Sequence, residues 1–145
     1  MSGPSRTYLA FDYGKKYIGV AVGSSHSRLA EPVTTLRGSA KNPDWVRISQ
    51  LIGEWRPDTL VVGLPLNMDG GDNPMTRAAR AFGQRLKERY NLPVHMVDER
   101  LSTLAARDIL NEAGVPMRRH KSRLDKVAAQ TILQAFLNEL PGETP

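Results

Sequence analysis

The chain has 145 residues, 40% hydrophobic and 24% charged, the length and balance of one globular domain built on a continuous core. It contains no cysteine, which excludes disulfides, thiolate metal sites and cysteine nucleophiles, and no apolar run of the length a bilayer demands. Lysine and arginine outnumber aspartate and glutamate by 20 to 15, a net charge of +5 that favours polyanionic partners, nucleic acid being the commonest.

The polar start, Met1 to Arg6, lacks the apolar segment of a secretory signal, so a cytoplasmic chain without membrane attachment is expected. Tyr8 to Asp12 and Tyr17 to Val22 read as two strands joined by a tight turn, where Gly14 is expected to take a backbone conformation that other residues avoid. Pro32 to Leu36 fits a third strand. Asn42 is expected to cap a helix with Pro43 in its first turn. Trp45, Ile48, Leu51, Ile52 and Trp55 then recur at helical spacing as core positions until Pro57. Thr59 to Leu64 is an apolar, β-rich run suited to a strand covered on both faces. After the turn-rich loop Asn67 to Asn73, Asn73 and Pro74 open a helix carrying Met75, Ala78, Ala79, Phe82 and Leu86 on one side.

Val94 to Val97 is a further strand, ending in Asp98-Glu99-Arg100. Ser102 is placed to cap a helix over Thr103 to Ala113, which Gly114 terminates. Met117 to Lys121 reads as a basic connector, Ser122 to Leu140 as a last helix, and Pro141 to Pro145 as a tail beyond an ordered core of about residues 7–140. A meander followed by alternating helices and strands implies an α/β fold: a central mixed five-stranded sheet flanked by helices, in one domain spanning 1–145.

Three acidic residues sit where the apolar pattern predicts core. Alternation puts Tyr8, Ala10 and Asp12 on one face of the first strand and Leu9 and Phe11 on the other. In the last helix, Asp125 lies three and four residues before Ala128 and Ala129, on the stripe that continues through Ile132, Leu133, Phe136, Leu137 and Leu140. A carboxylate on the buried face of a helix is costly without a cation or hydrogen-bond donors. Glu99 and Asp98 both follow an apolar strand and point to opposite faces; Glu99 is the preferred site residue. Taken singly, Asp12 is compatible with a turn, Asp125 with a dipole partner for its helix and Glu99 with a surface pair to Arg100 or Arg107. Converging carboxylates without histidine or cysteine specify a hard cation, Mg²⁺ or Mn²⁺, and suit phosphodiester hydrolysis.

The segments Phe11-Asp-Tyr-Gly-Lys-Lys-Tyr-Ile-Gly-Val-Ala21, Val62-Gly-Leu-Pro-Leu-Asn-Met-Asp-Gly70, Val97-Asp-Glu-Arg-Leu-Ser-Thr103 and Leu124-Asp-Lys-Val-Ala-Ala129 resemble, in order and spacing, the YqgF/RuvX family. The resemblance covers Tyr8 to about Leu140. It implies a ribonuclease H-like fold and a nuclease that processes the 5′ end of the precursor of 16S ribosomal RNA during ribosome biogenesis. Some members are linked instead to Holliday-junction resolution. It also implies that the family's acidic residues fall on Asp12, Glu99 and Asp125. Tyr17 stands where a basic residue is frequent in the family, and Lys126 where a small one is.

Lys15 and Lys16, at the turn beside Asp12, and the cluster Arg118, Arg119, Lys121 and Arg123 are candidate phosphate contacts, as are Asn67 and, further along, Arg77. For each of these a solvated surface role, or for Asn67 a turn, is the competing reading. His26, His95 and His120 show no metal-ligand spacing. Asp-x-Gly followed by Gly-Val-Ala is also similar to the first phosphate loop of the actin and sugar-kinase fold, but that fold needs two such domains. A non-catalytic RNA-binding assembly factor with the same fold is the alternative from another class. Precursor ribosomal RNA and branched DNA are the candidate partners. No dimer seam is evident, so a monomer or weak dimer is expected.

Overall fold

A computed structural model describes residues 5–37, 42–99 and 117–140, the side chains of residues 117–126 excepted. Its strands are β1 (Thr7–Tyr13), β2 (Tyr17–Ser24), β3 (Ala30–Arg37), β4 (Thr59–Leu64) and β5 (Val94–Asp98), and its helices are α1 (Trp45–Trp55), α2 (Pro74–Tyr90) and α3 (Met117–Glu139). The strands form one sheet in the order β3-β2-β1-β4-β5. The β1–β2 and β2–β3 pairs are antiparallel; β1–β4 and β4–β5 are parallel. The mixed five-stranded sheet expected from the chain order is therefore present.

Alternation along the strands divides the core between two helical layers. On one face Leu9, Phe11, Ile18, Val20, Leu60 and Val62 meet Ile48 and Leu51 of α1 and Phe82 and Leu86 of α2. On the other, Tyr8, Ala10, Ala21 and Val61 meet Ala129, Ile132, Leu133 and Leu137 of α3. Every residue of β4 is buried, as a strand covered on both sides requires. Pro32 sits on the edge strand β3, opposite a register shift between Val20 and Ala21, where a missing N–H is tolerated.

Helix boundaries follow from caps. Asn73 and Thr76 form a reciprocal capping box with Pro74 in the first turn of α2, and Asn91 ends that helix in a left-handed conformation at φ 53°. The α1 cap is Asp44 rather than Asn42: its carboxylate accepts from the Arg47 N–H at 3.1 Å. Pro43 consequently precedes the helix. Arg56 closes α1 in a left-handed conformation and donates its N–H to the Ile52 carbonyl at 2.8 Å.

Other expectations also change. Residues 117–121 are helical, so the basic connector is the first turn of α3; arginine and lysine are good helix formers and nothing there breaks the period. Trp55 is 42% exposed at the end of α1 and is not core. Gly14 does not adopt a left-handed backbone; what it supplies is space, since a Cβ there would lie 2.7 Å from the Tyr17 carbonyl oxygen. The helix expected over residues 103–113 and the tail at 141–145 fall outside the described residues.

Candidate active site

The α3-facing series on β1 runs Tyr8, Ala10, Asp12. On β5 the same face carries His95, whose ring lies 5.3 Å from that of Phe136, and Val97, which packs into the α3 cluster. The next residue of that parity is Glu99. Its N–H reaches the Leu64 carbonyl at 3.2 Å and extends the β4–β5 ladder by one residue. Asp98 has the opposite parity, together with Val94 and Met96, which face α2. Of the two neighbouring acids, Glu99 shares a face with Asp12 and Asp98 does not.

Two strand spacings, about 10 Å, separate β1 from β5, with β4 between them. The two acids nevertheless come within hydrogen-bonding reach of each other, a contact that two carboxyl groups make only by sharing a proton. Gly63 explains how. Phe11 pairs with Val62, and Gly63 pairs with Val97, so Gly63 lies on β4 between the two carboxylates. A Cβ at this position would strike both the Glu99 Oε2 atom and the Ile132 Cδ1 atom. The missing side chain is the corridor through which Glu99 leans toward Asp12. This glycine escaped the sequence reading, although an isolated glycine inside an otherwise branched and apolar strand is a recognisable sign of close approach.

Burial pushes the Glu99 carboxyl above its ordinary value; the hydrogen bond with Asp12 opposes that shift, and the charge of Asp98 adds to it. Positive charge placed here would therefore be favourable. The donors are carboxylate oxygens, with no ring nitrogen or sulfur among them, which fits Mg²⁺ or Mn²⁺.

Asp125 belongs to α3, one turn before Ala128 and Ala129, which are buried on the sheet. Its side chain is outside the described residues. Among the described residues, Asp12 and Glu99 are thus a pair, and no group of three ligating side chains is assembled.

The basic candidates are dispersed. Lys15 and Lys16 are exposed at the β1–β2 turn, immediately beyond the Asp12 end of β1. Arg118, Arg119, Lys121 and Arg123 lie on the first turns of α3, their side chains outside the described residues. Arg77 is exposed on α2, on the other side of the sheet from Asp12. Asn67 is occupied within its own loop: its oxygen accepts from Asn73 Nδ2 at 2.9 Å, and its amide donates to the Asp72 carbonyl at 3.3 Å. It therefore organises the loop between β4 and α2.

A protein of Nitrosococcus oceani, named provisionally as a pre-16S rRNA nuclease, is 52% identical over 134 residues, 92% of this chain and 88% of its own. One of Neisseria gonorrhoeae with the same name is 46% identical over 140 residues, 97% of this chain and 93% of its own. Among solved structures, Thermus thermophilus RuvC in complex with a Holliday-junction substrate superposes with a TM-score of 0.58 at 15% identity, covering 90% of this chain and 93% of that one. The fowlpox virus resolvase bound to Holliday-junction DNA gives 0.53 at 10% identity, covering 91% and 97%. These two likenesses establish the fold, the RuvC-like ribonuclease H arrangement. The model of the RuvX family, described as Holliday junction resolvase, matches residues 6–139. With nearly the whole chain matched, and with relatives at such identity, this chain belongs to the RuvX family.

Proposed function

We propose that the chain is a nuclease that cleaves phosphodiester bonds with the aid of bound Mg²⁺ or Mn²⁺, and that it processes the 5′ end of precursor 16S ribosomal RNA in the cytoplasm. The observation that carries this reading is the meeting of Asp12 and Glu99 across Gly63, two acids brought together where a core would otherwise exclude them. The names of the relatives supply the RNA substrate. No helix among the described residues is long and apolar enough to cross a membrane.

Asp12 and Glu99 would hold the divalent ion, with Asp125 of α3 as the expected third ligand. Bound there, the ion would supply an activated water and stabilise charge on the leaving oxygen. The protein's own groups do the rest. β1 carries Asp12, and the bond from the Glu99 N–H to the Leu64 carbonyl ties the second acid to the sheet just past β5, which limits the reorganisation needed when substrate arrives. Ile132, packed beside Gly63, closes the floor of the site. Lys15 and Lys16 hold a backbone phosphate at the β1–β2 turn, and the cations at the start of α3 provide further contacts.

The test is a parallel cleavage assay with Mg²⁺ or Mn²⁺ on precursor 16S ribosomal RNA, unstructured RNA and a four-way DNA junction. Cleavage of the precursor near its 5′ end by the native protein, and not by Asp12→Asn, is expected. Preference for the junction would move the assignment to branched DNA, the substrate of the bound resolvase structures. Identical cleavage by Asp12→Asn would remove the metal-nuclease reading altogether.

A further inference from the structure

The later turns of α2 concentrate positive charge that the site described above does not use. Arg85, Lys87 and Arg89 stand there with one acid, Glu88, whose carboxylate accepts a hydrogen bond from Gln84 Nε2 at 3.1 Å. Arg85 and Arg89 are one helical turn apart, about 6 Å along the axis. Both guanidinium groups lie over the ring of Trp45, at 4.9 and 4.3 Å from its centroid. Among the described residues neither forms an ion pair with a carboxylate.

A free surface arginine samples many rotamers and gives up that freedom when it binds. Stacking on an aromatic ring fixes the guanidinium plane in advance and leaves its N–H edges available for the paired hydrogen bonds that phosphate oxygens accept. Trp45 is itself immobilised: it stacks on Phe82 at 5.8 Å and contacts Tyr90 at 6.4 Å, whose hydroxyl is 2.7 Å from Ser49 Oγ. Phe82 in turn stacks on Tyr13 at 4.8 Å. Tyr13 directly follows Asp12 and leads into the turn that exposes Lys15 and Lys16.

We propose that Arg85 and Arg89, held in place by Trp45, form a second phosphate-binding surface for single-stranded nucleic acid, on the α1/α2 face of the sheet and connected to the site by way of the Lys15–Lys16 turn. This rests on the reading that the substrate is nucleic acid. Trp45 serves as a mount for the arginines and not as a stacking platform for bases, so the surface grips backbone without reading sequence. Continuity with the turn lysines and the net charge of +5 favour a polyanion with regularly spaced charges.

Two measurements test it. In a Trp55→Phe background Trp45 is the only tryptophan, and its emission is followed while a short oligouridylate is added in chelator, at a series of salt concentrations. Emission is expected to change on binding. The slope of log affinity against log salt should shrink by about 1.4 in Arg85→Gln/Arg89→Gln, the loss of two single-strand phosphate contacts. The Arg85→Lys/Arg89→Lys protein should keep the native slope, because it keeps the charge. An unchanged slope in a glutamine variant that melts like the parent would overturn the proposal while leaving the nuclease reading intact. So would polyglutamate that bound the parent as tightly as the RNA and lost affinity in the same variant, since that would mark the surface as one for acidic protein. If the parent bound no RNA at any salt concentration, the nucleic-acid reading would fail, and this surface with it.

Discussion

Toward α1 and α2, β1 presents Leu9, Phe11 and Tyr13; toward α3 it presents Tyr8, Ala10 and Asp12. The first face is filled with large side chains, and Phe82 touches both Phe11, at 5.8 Å, and Tyr13, at 4.8 Å. On the second the sheet contributes small residues, Ala10, Ala21 and Ala30 with Gly63 beside them, and α3 fills the space with Ile132, Leu133 and Leu137. Small residues let a helix approach a sheet closely, and α3 packs along β1, β2 and β3 in this way. The consequence is a division of labour. Both faces bury apolar side chains, but only the α3 face also brings acids from β1 and the end of β5 together at one edge of its core.

The division is tested most severely by crossing substitutions between the faces. Asp12→Asn should reduce cleavage on the order of a thousandfold, the equivalent of about 4 kcal/mol of transition-state stabilisation, while the melting temperature stays level or rises. Phe82→Ala should do the reverse. Removing a buried aromatic ring shared by Phe11, Tyr13 and Trp45 is expected to lower stability by about 3–5 kcal/mol, a large part of what a domain of this size possesses. Under conditions where the Phe82→Ala protein is still folded, its cleavage rate at saturating substrate should remain near native, any loss falling on substrate affinity through Trp45. Parallel losses of activity and stability in both variants, seen by assay and denaturant titration, would erase the distinction.

Gly63→Ala sharpens the comparison because it adds one methyl group at the seam of the site face. Overpacking of this kind costs about 1–3 kcal/mol, and here the atoms in the way are Glu99 Oε2 and Ile132 Cδ1. Ile132 can shift along its side chain. Glu99 Oε2 is also the end of a flexible side chain, and moving it off Gly63 displaces the carboxylate that approaches Asp12, so activity should fall further than stability. A Gly63→Ala protein with native activity would show that the corridor between the acids is unnecessary.

How far such features can be read from sequence depends on how many acids compete at a strand end. Tyr8-Leu-Ala-Phe11 of β1 is buried on both faces, but Asp12 is the one acid there, so parity alone assigns it to the face of Ala10. On β5 the segment Val94-His-Met-Val97 is apolar at both parities, so alternation does not choose between Asp98 and Glu99; the choice comes from pairing with β4, a long-range property. Gly63 was hidden for the same reason, since its importance lies in a residue far away in sequence. The α1 cap lies two residues beyond the position the sequence suggests, because Asn42 and Asp44 are both good caps separated by a proline that suits a first turn. Which one acts is set by where Ile48 and Leu51 must face.

The smallest effect is a pH dependence that belongs to the site face alone. The Glu99 carboxyl is raised above its ordinary value of 4.5 by burial, with Asp98 adding to the shift and Asp12 opposing it. In the unfolded chain that group ionises first, so the stability it contributes is fully present below pH 4.5 and is lost as pH rises through the higher folded value. Glu99→Gln removes this titration. In chelator, the melting temperature of Glu99→Gln relative to the native protein should therefore climb from acid pH toward neutrality and then level off. The α1/α2 face gives no such signal: Tyr13, which stacks on Phe82, is raised above its ordinary value of 10.0 by burial, so the Phe82→Ala difference should stay flat from acid pH to neutrality. Adding Mg²⁺ at neutral pH should narrow the gap between Glu99→Gln and native protein, since bound positive charge stabilises the ionised carboxylate that burial disfavours. A gap that ignored both pH and Mg²⁺ would mean that Glu99 carries no unfavourable charge in the folded protein, and the electrostatic contrast between the faces would have to be abandoned.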